Sequence, residues 1–340
     1  MGSDNMIKLI VAALLSFLFS FVLEVPFINL LYKIKFRDSE KLSVDFRGQP
    51  TLFNQLHGHK AGTPTGGGIL IVVSSALFTA LIYLLTQFNF NNTSAVLYFS
   101  MAAFGLLGFY DDAKKTLGKR ASGALWCLRL KYKLLIQISL GLVIGFLLYQ
   151  LLGLHTLWLP LLGTFDLGYL YVIYAAIVVV ATSNAFNITD GLDGLSTGLL
   201  MISLLPFWYL ASFSPFSGDV GLFIAVMLGA LLAFLYFNIY PARIIMGDKG
   251  ALALGAMLGV IALIVGQSFT LVIIGGVFVV EAASSLIQWG SMLLRNKRVF
   301  LIAPLHHHFE ALEWPETKVT MRFWLAGIFL AFLGLFVALL

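Results

Sequence analysis

Long apolar runs, separated by short charged segments, are the feature that most limits how this chain can fold. Hydrophobic residues make up 60% of the 340 residues and charged residues only 11%, whereas soluble domains carry about 25% charged residues. A bilayer-spanning helix needs roughly 20 apolar residues. Ten such runs lie at approximately 6–32, 66–86, 94–110, 133–153, 169–187, 194–213, 219–238, 251–267, 269–290 and 319–340. The sequence therefore predicts an all-α, polytopic membrane protein with about ten transmembrane helices.

Lysine and arginine are distributed unevenly between the segments that join these runs. Twenty of the 21 lie after the first, third, seventh and ninth runs, and the loops near 87–93, 154–168 and 214–218 hold none. Cytoplasmic loops of membrane proteins carry an excess of these residues. We therefore predict that the charged segments face the cytoplasm and that both termini are extracytoplasmic.

The chain is expected to form a single domain over residues 1–340. The longest segments outside the apolar runs, near 33–65 and 291–318, hold about 30 residues each, too few for a separate core. Residues 1–5 are expected to be a vector-derived leader ahead of a native start near Met6. The single cysteine, Cys127, excludes an intramolecular disulfide.

Two acidic motifs lie on the predicted cytoplasmic side. Asp111 and Asp112 follow the third run, and adjacent carboxylates repel each other unless a cation or proton relieves them. They are interpreted either as a pair that handles a metal ion or phosphate, or as a solvated helix end neutralised by the lysines that follow. Asp248, in Met246-Gly-Asp, leaves the same choice between a site and a helix cap.

A denser polar motif runs from Asn187 to Gly194, with the sequence Asn-Ile-Thr-Asp-Gly-Leu-Asp-Gly. Carboxylate and amide oxygens are the ligands that Mg²⁺ prefers, and a ribosyl-pyrophosphate would also bind such groups. Capping of the next helix would need only one of these side chains. The motif therefore favours a functional site that includes Asp190 and Asp193.

Three consecutive histidines, His306, His307 and His308, precede Phe309 and Glu310. Neighbouring side chains point in different directions, and the spacing differs from that of zinc sites. We predict that they bind phosphate and order their loop. Glu281, about twelve residues into the ninth run, is expected to form a hydrogen bond between helices.

A glycine-rich segment, Gly62-Thr-Pro-Thr65-Gly-Gly-Gly68, precedes the second run, with Lys60 just upstream. It has the glycines of a phosphate cradle but not the spacing of a P-loop. The segment is interpreted as a contact for an anion.

In their order along the chain, these motifs resemble those of the phospho-N-acetylmuramoyl-pentapeptide transferases (the MraY family). This family belongs to the polyprenyl-phosphate N-acetylhexosamine-1-phosphate transferase superfamily. The resemblance spans about residues 60–324. The acidic motifs are shared by the superfamily, whereas Pro304-Leu-His-His-His-Phe-Glu and Trp314-Pro-Glu are typical of the muramoyl branch.

The resemblance implies transfer of phospho-MurNAc-pentapeptide from UDP-MurNAc-pentapeptide to undecaprenyl phosphate, giving lipid I and UMP. It further implies Mg²⁺ as cofactor, a homodimer among membrane lipids in the bacterial inner membrane, an active site facing the cytoplasm, and no nucleic acid as partner. A single displacement and a phospho-enzyme both remain open. A sister transferase that moves GlcNAc-1-phosphate is the main alternative. A secondary transporter ranks lower, because most acids here lie at helix ends rather than at the bilayer midplane.

The resemblance also implies roles for individual residues. Asp248 would be the principal Mg²⁺ ligand with Asp111 nearby, and Asp111 or Asp112 would act as base. The implied catalytic residues are Asp111, Asp112, Asp248 and His307. The implied substrate contacts are Lys60, Thr65, Lys133, Asn187, Asp190, Gly191, Asp193, Gln288, His306 and His308. Lys249 departs from the family pattern and is expected to pair with Asp248 or to touch the diphosphate.

Overall fold

Helices account for most of the part of the chain that the structure, a computed structural model, describes: residues 3–34, 62–86, 88–121 and 130–340. In chain order they are α1 (Ser3–Lys33), α2 (Gly67–Leu85), α3 (Asn92–Ala121), α4 (Leu130–Leu152), α5 (Leu170–Thr189), α6 (Leu195–Ala211), α7 (Ser217–Asn238), α8 (Asp248–Ile264), α9 (Leu271–Ile274), α10 (Gly276–Arg295), α11 (Leu305–Ala311) and α12 (Glu316–Ala338).

Each of the ten predicted apolar runs coincides with a helix, namely α1 to α8, α10 and α12. Of the described helices, eight are long and apolar enough to cross a membrane. The two exceptions among the ten, α6 and α8, hold 17 residues each. A mostly helical, polytopic membrane protein is therefore confirmed, while the count of ten spans and their orientation stay predictions.

Two helices differ from the expected boundaries. α3 continues to Ala121, so Asp111 and Asp112 lie inside a helix rather than at its end. The residues after Asp112 include Ala, Lys, Leu and Arg, which are good helix formers and can extend a helix into water. The ninth apolar run is broken at Gly275, between the short α9 and the longer α10.

A two-stranded antiparallel hairpin joins α4 to α5 and was not predicted. Its strands are β1 (Thr156–Leu159) and β2 (Gly163–Asp166), with Thr156 opposite Asp166. Threonine, tryptophan and phenylalanine favour strands, and Pro160 and Gly163 bound a tight turn. The hairpin is thus a small β addition to the all-α architecture, on the side where no lysine or arginine was found.

Among the described helices, α8 is the most buried, and it packs against α2, α3, α5 and α6. Gly255 and Gly259 let the backbone of α5 approach closely, because a Cβ atom at either position would clash with residues 179–186. Asp248 is the first residue of this helix. The packing of α8 against its neighbours therefore fixes the position of the Asp248 backbone.

Candidate active site

One lysine joins two of the predicted carboxylates. The Lys133 Nζ atom donates to Asp111 Oδ2 at 3.0 Å and to Asp248 Oδ2 at 3.3 Å. Asp111 is buried, whereas the Asp248 side chain is 26% exposed. We call Asp111, Lys133 and Asp248 the carboxylate centre. Lys133 of α4 thus joins a carboxylate of α3 to one of α8, and all three were predicted site residues.

Close backbone packing positions the two carboxylates. A Cβ atom at Gly108 would come within 2.5 Å of the Asp248 carbonyl oxygen, and one at Gly68 would clash with the Cα atom of Gly250. α2 and α3 therefore touch the first turn of α8 with backbone alone. Because Asp111 follows Gly108 by one helical turn, this contact places it beside Asp248.

The glycine-rich segment is joined to the strand-like stretch that leads into α8. Thr65 and Ile245 form a parallel bridge. The Ile245 carbonyl accepts the N–H groups of Gly66 and Gly67 at 3.0 Å each, and Pro64 accepts from the Ile245 N–H at 3.0 Å. The half-buried Thr65 is thereby held next to the Met-Gly-Asp motif. Lys60 lies outside the described residues.

The linker between α5 and α6 carries Asp190 and Asp193. The N-cap residue of α6 is Gly194, whose φ of 72° suits glycine. Asp190 instead accepts from the Ser196 hydroxyl, and Asp193 Oδ2 accepts the Ala242 N–H at 2.9 Å. Neither aspartate is the N-cap residue of α6, and the bonds of both aspartates hold the linker itself.

Two residues that sequence reasoning missed fix the same linker. Asn238 Oδ1 accepts the Gly194 N–H at 3.1 Å, and its amide nitrogen donates to the Ile244 carbonyl at 3.0 Å. Glu316 Oε1 accepts the Asp193 N–H at 2.7 Å. The sequence did offer a signal for each residue. Asn238 is an amide at the end of an apolar run, and Glu316 is the acid of the Trp-Pro-Glu motif.

An amide pair shows that the carboxylate centre and the linker lie at the same end of the bundle. Gln137 in α4 and Asn184 in α5 exchange side-chain hydrogen bonds, the shorter at 2.9 Å. Lys133 lies one turn before Gln137, and Asn187 about one turn after Asn184. Since α4 and α5 run in opposite directions, both residues are displaced toward the same end, by about 5 Å.

The histidines lie in the short helix α11, which we call the histidine helix. His306 Nδ1 is 2.9 Å from Glu281 Oε2, and the His306 N–H donates to Glu281 Oε1 at 3.1 Å. Both side chains are fully buried. The interhelical bond predicted for Glu281 is confirmed, with His306 as its partner. A Cβ atom at Gly191 would clash with His306 Nε2, so this ring lies directly against the linker.

The other two histidines have different partners, as their consecutive spacing predicts. His307 Nδ1 is 2.7 Å from Glu310 Oε2, and His308 Nδ1 accepts the Leu301 N–H at 3.2 Å. In the described part of the chain, no group of three or more His, Cys, Asp or Glu could hold a metal ion. A metal ion bound by the described residues would therefore have at most two ligands from these side-chain types.

Three further predicted residues, Gln288, Asp112 and Lys249, belong to neither the carboxylate centre nor the histidine helix. Gln288 Oε1 accepts the N–H groups of Val299 and Phe300 at 3.0 Å each, so its amide holds the loop before the histidine helix. Asp112 lies in α3, but its side chain is outside the described part. Lys249 is buried, and its Nζ lies 5.6 Å from the centroid of the Phe109 ring. Its positive charge thus faces α3, two residues from Asp111.

Comparisons with known proteins identify relatives of this chain. The family model described as glycosyl transferase family 4 matches residues 94–266. A phospho-N-acetylmuramoyl-pentapeptide-transferase of Desulforapulum autotrophicum is 42% identical over 299 residues, covering 83% of this chain and 81% of the relative. The proteins of that name from Methylacidiphilum infernorum and Oceanobacillus iheyensis are 38% and 37% identical. They cover 95% and 97% of this chain, and 91% and 97% of their own lengths.

The chain belongs to the phospho-N-acetylmuramoyl-pentapeptide transferase family. The resemblance carried by its motifs is thereby confirmed. In this transferase family member, the match to glycosyl transferase family 4 includes all three residues of the carboxylate centre and the whole α5–α6 linker. The histidine helix lies beyond that match and meets the linker at Gly191.

Proposed function

We propose that this protein transfers phospho-MurNAc-pentapeptide from UDP-MurNAc-pentapeptide to undecaprenyl phosphate, giving lipid I and UMP in peptidoglycan synthesis. Relatives that share most of the chain's length carry the corresponding name. The observation that carries the proposal is the carboxylate centre, where Lys133 is shared by Asp111 and Asp248 beside the α5–α6 linker. Charged groups from three helices meet there, at one end of the helix bundle.

The reaction forms a bond between the lipid phosphate oxygen and the sugar-bearing phosphorus of the UDP donor. The bond from that phosphorus to the bridging oxygen breaks, and UMP leaves with the electron pair. Both reactants are anions, so the site must screen their repulsion and stabilise the leaving phosphate. Lys133, already within reach of two carboxylates, is the cation best placed to meet a substrate phosphate.

The carboxylate centre fits a Mg²⁺ ion. Asp111 and Asp248 both lie within 3.3 Å of the Lys133 Nζ atom, so the two carboxylates already hold a cation between them. Mg²⁺ is usually held by one or two carboxylates plus substrate phosphates. We propose that Asp248, with its partly exposed oxygens, is the principal ligand and that Asp111 supports it. When bound, Mg²⁺ would neutralise charge on the diphosphate, while Lys133 turns toward the substrate.

The substrate contacts divide into two groups. We propose that the half-buried Asn187, Asp190 and Thr65 touch the nucleotide, together with Lys60 and the backbone at Gly191. Asp193 and Gln288 are bonded to protein backbone, so they shape the nucleotide site by holding the linker and a loop. His307 and His308 are proposed to present donors to the sugar phosphate, and the fully buried His306 to hold the histidine helix against the linker. Asp112 or Asp111 is proposed to accept the proton of the attacking lipid phosphate.

Release of UMP tests this function. Purified protein with undecaprenyl phosphate and Mg²⁺ should release UMP and form a lipid-linked product from UDP-MurNAc-pentapeptide, and should release far less from UDP-GlcNAc. Preference for UDP-GlcNAc would overturn the proposal in favour of the sister transferase. No UMP from either donor, with substrate flux in liposomes, would favour a transporter.

We further propose that the site faces the cytoplasm of the inner membrane, because the lysine-rich segments adjoin it. Single cysteines at Asn91 and at Arg295, in a Cys127→Ser background, should be labelled from opposite sides of intact cells. An impermeant reagent should reach Asn91→Cys and not Arg295→Cys. Labelling of Arg295→Cys from outside would reverse the orientation.

The ten-span topology and a homodimeric assembly belong to the same proposal. The homodimer follows from the family resemblance. Native mass spectrometry of the protein released from detergent should show twice the chain's mass of 37.3 kDa. A monomer retaining full turnover would contradict it.

A further inference from the structure

A pocket lies behind the histidine helix, between α10, α11 and α12. Its volume is about 320 Å³. Val280 of α10, Leu305 and Phe309 of α11, and Ala326 and Leu330 of α12 are among the residues that line it. An apolar pocket at the surface of a membrane protein is suited to a hydrocarbon chain.

Two cations mark the rim of this pocket. Arg322, which lines it, lies 4.3 Å from the centroid of the Trp314 ring, and Lys318 Nζ lies 4.5 Å from the same centroid. Both side chains are exposed, and neither forms an ion pair with a carboxylate in the described part of the chain. Two like charges over one ring repel each other. An anion bound between them would relieve that repulsion.

We propose that this pocket binds an anionic glycerophospholipid, with the phosphate at Lys318 and Arg322 and an acyl chain between α10 and α12. Lys318 and Arg322 lie in the first two turns of α12, at the end proposed to face the cytoplasm, so the choice of lipid rests on that proposed orientation. Anionic lipids concentrate in that leaflet and attract basic residues at the membrane surface. The juxtaposition of an apolar pocket with unpaired cations at its rim identifies the ligand class.

This lipid site is separate from the carboxylate centre. α12 packs chiefly against α6, α9, α10 and α11, whereas the carboxylate centre lies on α3, α4 and α8. An acceptor phosphate must reach the carboxylate centre, so the lipid at Arg322 is a resident of the fold rather than a reactant. Its binding does not depend on the proposed transferase activity.

The acyl chain would contact the back of the histidine helix. Leu305 and Phe309 line the pocket, and the three histidines lie between them in sequence. Phe309 also stacks on Trp314, with ring centroids 4.8 Å apart. The lipid is thereby a positioning element for α11, acting through these two side chains.

Quenching of Trp314 fluorescence by brominated lipids tests the site. The full-length protein in detergent is titrated with phosphatidylglycerol or phosphatidylcholine carrying brominated acyl chains. Because the chain has six tryptophans, the signal is taken as the difference from a Trp314→Phe variant. We expect quenching of Trp314 at a concentration of phosphatidylglycerol roughly tenfold lower than of phosphatidylcholine.

Matched variants distinguish the contribution of the lipid headgroup to binding from that of the acyl chain. Lys318→Gln with Arg322→Gln should remove the preference for phosphatidylglycerol, whereas Arg243→Gln, another arginine over an aromatic ring, should keep it. Ala326→Phe should fill the pocket and abolish quenching, whereas the neighbouring, exposed Leu325→Phe should not. Unfolding midpoints near that of the parent establish that each variant is folded.

Three results would overturn the proposal. The first is equal quenching by the two lipids, and the second is quenching that survives Ala326→Phe. The third is displacement of phosphatidylglycerol by equimolar undecaprenyl phosphate, which would assign the pocket to the acceptor lipid. All three are read by fluorescence, so a failure here is distinguishable from a failure of the UMP assay.

Discussion

The carboxylate centre and the histidine helix are both built from charged groups, but they hold those groups in different ways. At the carboxylate centre, one lysine is divided between two aspartates, and one of these is partly exposed. At the histidine helix, Glu281 and His306 are fully buried, and two hydrogen-bond donors of His306 meet the same carboxylate. The first arrangement can exchange its cation, whereas the second is fixed.

The difference follows from solvation. A partly exposed ion pair contributes little to stability, because water and salt screen it. Breaking a buried pair leaves an uncompensated polar group in a medium that cannot solvate it. A charge change at the partly exposed Asp248 should therefore act mainly on turnover, and one in the buried pair of Glu281 and His306 mainly on stability.

The largest effect is expected for Asp248→Asn. The substitution keeps the side-chain shape and removes the charge that binds the cation, so turnover should fall by roughly a thousandfold or more while the fold survives. UMP release, measured with and without EDTA, checks this. Asp219→Asn, an acid in the first turn of α7, is the matched control and should retain turnover. Near-normal, Mg²⁺-dependent turnover by Asp248→Asn would reduce Asp248 to a structural residue.

The second-largest effect is a loss of turnover expected for His307→Ala. This substitution removes the ring that pairs with Glu310, and turnover should fall about a hundredfold, as for loss of one well-placed donor. His308→Ala, which loses the bond from the Leu301 N–H and the ring contact with Phe300, should have a smaller effect. The zinc content of the purified protein should be the same in all three forms. Stoichiometric zinc that disappears with His307→Ala would reveal a zinc site instead.

Glu281→Gln should act on stability. One amide oxygen can accept from His306, but the amide nitrogen is left against groups that were matched to a carboxylate, and the loss should be about 1–3 kcal/mol. The thermal unfolding midpoint in detergent measures it. Asp166→Asn alters the exposed pair of Asp166 with His155, which are 3.0 Å apart, and should leave the midpoint unchanged. Equal shifts in both variants would remove the distinction between buried and exposed pairs.

The smallest effect concerns the pH dependence of the hairpin. The Gly168 N–H, which donates to Asp166 Oδ1 at 2.8 Å, and His155 lower the pKa of Asp166 below its ordinary value of 3.8. A lowered pKa stabilises the folded hairpin above that value, and the contribution is lost as the pH falls through the lowered pKa. Hydrogen exchange of residues 156–168 should therefore be slow at pH 7 and faster, after correction for intrinsic rates, below pH 3. Protection that is unchanged at low pH would show that these bonds do not hold the hairpin.

Much of the fold was predictable because the bilayer imposes a length on every apolar run. The predicted motifs also met at one end of the bundle, since loops after odd-numbered spans must lie on the same side. The hairpin was missed because its two strands hold four residues each, shorter than a reliable alternation signal. α3 was predicted too short because hydropathy reports where a helix leaves the membrane, not where it ends.

The partners of individual polar groups were less predictable. Glu281 was expected to bond across helices, because an acid inside an apolar run needs a partner, but nothing in the sequence points to His306. Asn238 and Glu316 are separated from the linker residues they bind by 44 and 123 positions. Such pairings depend on how the helices pack, which single-sequence patterns do not encode.

The backbone contacts around Asp248 bear on drug resistance. At Gly68 and Gly108 any side chain would collide with α8, so these positions admit few substitutions that keep the fold. An inhibitor resting on this stretch of main chain would meet a target with little room to mutate. An inhibitor that binds the exposed side chains of α12 would meet positions where many substitutions keep the fold, so resistance could arise there more readily.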